Sequence, residues 1–119
     1  MRVCILGSGL SALTLAKALL NQNIKVDILL SQKKYSINKT RTLGISKSNL
    51  EFFNKNIINI EKIIWKLRKI EILTENLKGE KILNFENKRD QLFSIIKNYQ
   101  LYDILNKNLT SKKNQKKIK

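Results

Sequence analysis

Proline and histidine are both missing from the 119 residues, and there is one cysteine. Without an imidazole, a His-based catalytic triad and a His-containing zinc site are ruled out. The single thiol, Cys4, can form no internal disulfide, which points to a reducing compartment and a cytoplasmic setting. Sequence position alone makes Cys4 a small buried core residue of the first strand. No apolar run approaches the roughly 20 residues of a membrane-spanning helix. The N-terminus enters an apolar stretch at once, which leaves no room for a signal peptide. Acidic residues are scarce, nine against 24 Lys and Arg, for a net charge of +15 and a pI near 10.1. Such a charge invites a nucleic-acid reading. Against it, the basic residues are nearly all Lys and run along the whole chain, and the aromatic interleaving that stacks bases is missing. Abundant Lys, Asn and Ile look like the bias of an A/T-rich coding sequence. The charge is better read as a basic surface drawn to anionic membrane or acidic partners. Hydrophobic residues make up 42% of the chain, enough for one small folded domain.

What is present is organised around the first thirteen residues. Val3, Cys4, Ile5 and Leu6 form an unbroken apolar run, as expected of a parallel strand covered on both faces. Gly7-Ser8-Gly9-Leu10-Ser11-Ala12 follows, and Leu10–Asn21 has a dense helix-forming pattern. Strand, Gly-x-Gly-x-x-Ala and helix occur in the order a dinucleotide site needs. The first glycine permits the tight turn, the second lets backbone approach a pyrophosphate, and a small third residue lets the helix pack close to the strand. The phosphates would then lie on the free amides of the helix start. The alternative is a βαβ unit with a glycine turn and no ligand.

Residues 25–30 read as the second strand. An acidic ribose ligand is expected near its end, but Leu30 occupies that place, with Ser31 and Gln32 next. Ser31 or Gln32 would bond a ribose, or both are loop polars; Asp27 is acidic but lies inside the strand. A polar segment, 32–40, leads to Arg41. Ser46 is placed to cap a helix over Lys47–Asn56. The apolar residues of 57–65 read as a second helix or a bent continuation, with Trp65 in the core. Lys69–Leu73, 81–85 and 91–96 read as one antiparallel set. Residues 98–108 form a last helix with Leu101, Ile104, Leu105 and Leu109 on one face. From residue 110 the chain is a basic polar tail, or a loop before a strand that does not arrive.

Three stretches carry a resemblance. The first is Gly7 to Ala12 directly after the N-terminal strand. The second is Arg41-Thr42-Leu43-Gly44-Ile45-Ser46 leading into Ser48-Asn49-Leu50-Glu51-Phe52-Phe53. The third is Ile95-Ile96-Lys97-Asn98-Tyr99-Gln100-Leu101, followed by Ile104 and Leu105. In this order the chain resembles the FAD-dependent aromatic hydroxylases of the para-hydroxybenzoate-hydroxylase type. Within them it is similar to the ubiquinone-biosynthesis branch, the polyprenyl-methoxyphenol hydroxylases, with Gly44 where the Arg-x-x-Ala-Leu-Ser run has Ala.

The resemblance implies an α/β fold: a Rossmann-like βαβ FAD-binding unit, then helices and a short antiparallel sheet segment, as an incomplete domain. Residues 1–109 would be the N-terminal part of an FAD-binding domain and 110–119 its tail. It further implies FAD held by Gly7, Ser8, Gly9, Leu10, Ser11 and Ala12, with Ser31, Arg41 and Asn98 as further contacts. NAD(P)H would be the electron donor. The substrate would be a small aromatic molecule, prenylated in this branch, with peripheral contact at the inner face of a membrane. No residue stands out as a general base for a phenol, so no catalytic residue and no metal ligand are named. The family's later Gly-Asp motif and large substrate sheet have no counterpart, so the isolated chain is expected to be inactive. The readings set against this are a stand-alone FAD- or NAD-binding module without catalysis and, below it, a basic nucleic-acid-binding protein.

Overall fold

The computed structural model of the chain describes residues 1–29, 38–75, 81–86, 92–110 and 115–118. Strand β1 (Arg2–Leu6), helix α1 (Leu10–Asn21) and strand β2 (Lys25–Leu29) make a βαβ unit with β1 and β2 parallel. Helix α1 is rich in Leu and Ala, which lose little freedom in a helix. Its end is set by Asn23, in the left-handed region at φ 60°. The Asn23 amide donates to the Leu20 carbonyl and the Ile24 amide to that of Leu19, at 3.0 and 3.1 Å. This crossed pair closes the last turn.

A second sheet follows. Strand β3 (Thr42–Ser46) runs into helix α2 (Lys47–Asn56). Ser46 caps that helix as expected, its Oγ accepting the Asn49 amide at 3.2 Å. Beyond α2 the expected second helix does not form. Residues Glu61–Ile63 make one 3-10 turn, and Ile64–Leu67 become strand β4. Asn side chains divert the backbone: Asn54 Oδ1 accepts the Ile60 amide at 2.9 Å, and Asn59 Oδ1 accepts that of Glu61 at 3.0 Å. Local side-chain partners of this kind compete with helix, and the Ile-rich run then favours strand. Trp65 is exposed rather than in the core, with Lys97 Nζ 5.6 Å from its ring centre.

Strands β5 (Lys69–Leu73) and β6 (Lys81–Glu86) pair antiparallel as a separate ribbon. Lys69 Nζ lies 2.5 Å from Glu71 Oε1, and that hydrogen bond raises the Lys69 pKa above its usual 10.5. The third expected member of this set, β7 (Phe93–Lys97), instead lies between β3 and β4, antiparallel to both. Ser94 and Ile96 of β7 are buried, and Phe93 and Ile95 alternate with them. Helix α3 (Asn98–Thr110) buries Leu101, Leu105 and Leu109, and packs against both α1 and β7. The tail does not stay a loop: β8 (Gln115–Ile118) adds to β2 in parallel, giving the order β1-β2-β8. The expected turn at Lys78-Gly79, and Leu30, Ser31 and Gln32, lie outside the described residues.

The core joins Ile5, Leu13, Ala16, Val26 and Ile28 of the βαβ unit to Leu50, Ile60, Ile96, Leu101, Leu105 and Leu109. Only one face of β1 meets it. Ile5 is buried, whereas Cys4 and Leu6 are exposed, so the expectation of a strand covered on both faces and of a buried Cys4 is corrected. The alternation of a strand sends neighbours to opposite faces. Among the described residues the helices lie on the Ile5 side.

Candidate functional site

The turn between β1 and α1 has two glycines in different conformations. Gly7 sits at φ +134°, a region open only to glycine, and its amide donates to the Leu29 carbonyl at 3.1 Å. A Cβ there would touch Ala12 Cβ at an ordinary 3.8 Å, so backbone conformation sets the requirement, with Ala12 small beneath it. Gly9 is the N-cap of α1, in an extended conformation with no side chain to satisfy the first amides. Within 4 Å of where its Cβ would be there is nothing, and the first turn carries no acidic residue. The result is an open cradle at the positive end of a twelve-residue helix, suited to an anionic group that brings its own acceptors. Gly7, Ser8, Gly9 and Leu10 are half-buried around it; Ser11 is exposed.

Arg41 and Asn98 meet at the other part of the site. The Asn98 amide donates to the Arg41 carbonyl at 3.0 Å, closing the end of the β3–β7 ladder where α3 begins. The Arg41 side chain is exposed. Asn98 Oδ1 is buried and has no hydrogen-bond partner, a costly state that a donor from a ligand would relieve. Lys39 Nζ lies 5.8 Å from the Tyr99 ring centre and ties the segment before Arg41 to α3. Asp27 is engaged by Arg2, with Nε 3.5 Å from Oδ2.

A groove of about 500 Å3 opens beside the first turn of α1. Leu10 and Ser11 of the first turn of α1 line it together with Leu43, two residues past Arg41, and Leu101, three past Asn98. Sequence reasoning missed β3 and so missed this groove. The signal was there in Leu43 and Ile45, alternate apolar residues around Gly44. An open glycine cradle, an exposed guanidinium and an orphaned buried amide oxygen are a donor and acceptor set that fits FAD. Among the described residues no group of three or more acidic or Cys side chains gathers as a metal site, and no helix is long and apolar enough to cross a membrane.

No protein-family model matches the sequence, and no curated protein matches it. Solved structures match its shape. p-Nitrophenol 4-monooxygenase PnpA from Pseudomonas putida DLL-E4 superposes with a TM-score of 0.78 at 14% identity, over 98% of this chain and 31% of its own. PqsL, a probable FAD-dependent monooxygenase from Pseudomonas aeruginosa, gives 0.78 at 14%, over 99% and 32%. HpxO from Klebsiella pneumoniae, in complex with FAD and uric acid, gives 0.72 at 14%, over 98% and 30%. At this identity the likeness is one of fold. The chain has the mixed α/β fold of FAD-dependent monooxygenases and spans about a third of their length.

Proposed function

We propose that this chain is the FAD-binding N-terminal portion of a monooxygenase that hydroxylates an aromatic ring, with a ubiquinone precursor as the substrate. The observation that carries the reading is the cradle at Gly9, on a fold shared with FAD-dependent monooxygenases. Residues 1–109 form the cofactor part. Gly7, Gly9 and the first amides of α1 hold the pyrophosphate. Gly7 sets the turn, Gly9 leaves room, and Leu10 to Ala12 open the helix that supplies the amides. Arg41 reaches the phosphates or the ribityl chain with its permanently charged fork. Asn98 Oδ1 accepts a hydrogen bond from the cofactor. Leu30 stands where an acidic ribose ligand is usual, and Ser31 or Gln32, next along the chain, bonds the ribose instead. When bound, FAD supplies oxygen activation, placing one oxygen atom on an electron-rich ring with electrons from NAD(P)H.

The basic surface supports peripheral contact with an anionic membrane, where a prenylated substrate would lie. The chain spans only about a third of its structural neighbours, which supports the reading that it does not turn over by itself. FAD titration of the wild type and Gly9→Val is the test. Saturable binding lost in the variant supports the reading. Equal FAD affinity in both overturns it. Hydroxylation of a phenol by the 119-residue chain with NAD(P)H would sink the claim of inactivity.

A further inference from the structure

The outer face of the second sheet carries a small cleft of about 110 Å3 that the cofactor reading does not use. Lys62 and Ile63 of the 3-10 turn, Trp65 of β4, Ile95 and Lys97 of β7, and Gln100 of α3 line it. Strand alternation brings three of them together. Trp65 is the ladder partner of Ile95, and Lys97 follows two residues on, so they share the face opposite buried Ser94 and Ile96. Lys97 Nζ lies 5.6 Å from the Trp65 ring centre, which holds one ammonium at the cleft. None of these residues lines the groove beside α1, so the two sites are separate.

We infer that this cleft binds a dianionic phosphate group. Two Lys line it and no acidic residue does. Glu61, the carboxylate next to Lys62, is engaged elsewhere, by Lys66 Nζ at 3.1 Å and by Asn54 Nδ2 at 3.0 Å. Among the described residues neither Lys62 nor Lys97 has a carboxylate within ion-pair distance. Two ammoniums lining one small cleft repel, and a dianion between them balances both. Gln100 stands in the first turn of α3, which has no acidic residue, so the positive end of that helix adds to the field. The volume exceeds the roughly 30 Å3 of a single water and leaves room for a tetrahedral group. An ammonium is a point charge with three rotatable donors. It meets tetrahedral oxygens without the planar fork that selects a carboxylate. The Trp65 and Gln100 side chains also carry neutral N–H donors.

Trp65 is the only tryptophan of the chain, so its emission reports on this cleft. The test titrates the 119-residue protein at constant ionic strength with inorganic phosphate, with acetate, and with NADP+ and NAD+, which differ by one phosphate. Phosphate should give a saturable change in emission, and acetate none. Tighter binding of NADP+ than of both NAD+ and inorganic phosphate supports the inference and assigns the group to a nucleotide. Binding of inorganic phosphate with no gain for NADP+ supports it and assigns the free ion. Calorimetry then reads the variants, since a change at Lys97 alters the surroundings of Trp65 directly. Lys97→Gln and the more exposed Lys62→Gln should each weaken phosphate binding at least about tenfold. Lys66→Gln removes the same charge beside the cleft without lining it, and should leave binding unchanged. No response to phosphate or NADP+, an equal response to acetate, or equal weakening in all three Lys variants overturns the inference. Gly9→Val should lose FAD and keep phosphate, so the cofactor reading and this inference fail separately. Loss of the phosphate response in Gly9→Val would place the anion in the glycine cradle and overturn the inference.

Discussion

Replacing Gly7 and Gly9 one at a time separates backbone strain from ligand access, because the same loop needs its two glycines for different reasons. At Gly7, φ is +134°, and holding an L-residue there costs on the order of 1–3 kcal/mol. Space is not the problem, since a Cβ would meet only Ala12 Cβ at 3.8 Å. Alanine also restricts the unfolded chain, which returns about 0.4–1 kcal/mol. The net expectation for Gly7→Ala is a loss of about 1–2 kcal/mol, or a fall in melting temperature of roughly 4–8 °C. Gly9 is extended, at φ −76° and ψ 176°, and has no atom within 4 Å of its missing Cβ. Valine fits that conformation but is a poorer N-cap than glycine, so Gly9→Val should cost about 0.5–1 kcal/mol, less than Gly7→Ala. It should abolish FAD binding, because the branched side chain fills the space a pyrophosphate needs. Urea melts without ligand, followed by fluorescence titration of FAD, read both quantities. Equal destabilisation by the two variants would refute the conformational argument. Undiminished FAD affinity in Gly9→Val would refute the cradle.

Gly44 is a packing glycine: a Cβ there would overlap the tip of the Phe93 ring. Gly44→Ala should cost about 1–3 kcal/mol by overpacking, and a urea-melt double-mutant cycle with Phe93→Ala should recover most of it; additive effects would exclude the ring as the cause. Leu105 is fully buried in the helix that packs against both α1 and β7, so Leu105→Ala should cost about 2–5 kcal/mol by thermal or urea unfolding. Cys4 is exposed on β1, so it should react completely with a thiol reagent under native conditions; protection that disappears only in urea would place it back in the core.

Much of the local structure was legible in the residues. Gly-x-Gly-x-x-Ala after an apolar run located β1, α1 and the cradle, because turn, close approach and helix packing each demand a particular small residue. Ser46 marked the start of α2, and the spacing of Leu101, Leu105 and Leu109 marked the buried face of α3. Pairing was less legible. The segment 91–96 was expected beside the ribbon, yet β7 joined β3 and β4, since alternation in a strand names its apolar face but not the partner that covers it. The stretch 57–65 reads equally well as helix or strand from its apolar spacing. Its outcome turned on Asn54 and Asn59, whose side chains take the backbone amides of Ile60 and Glu61.

Cys4 and Trp65 were misplaced for a common physical reason. Each is an apolar or amphipathic residue on a strand whose other face is buried, and pattern alone assigns such residues to a core. Burial, however, needs a second layer, and among the described residues the layer exists on one face only. Leu6 is 77% exposed beside Cys4, and Trp65 is 65% exposed on the outer face of the second sheet. The exposed residues of the ribbon behave alike: Ile72 faces Leu83 across the β5–β6 ladder, Phe85 lies two residues further along, and all three are uncovered. Scattered apolar residues on a surface are ordinary, but these lie on the outward faces of three different sheets. A two-stranded ribbon with a bare apolar face is marginal unless something packs on it. Among the described residues, the pattern marks apolar faces that the single second layer does not reach.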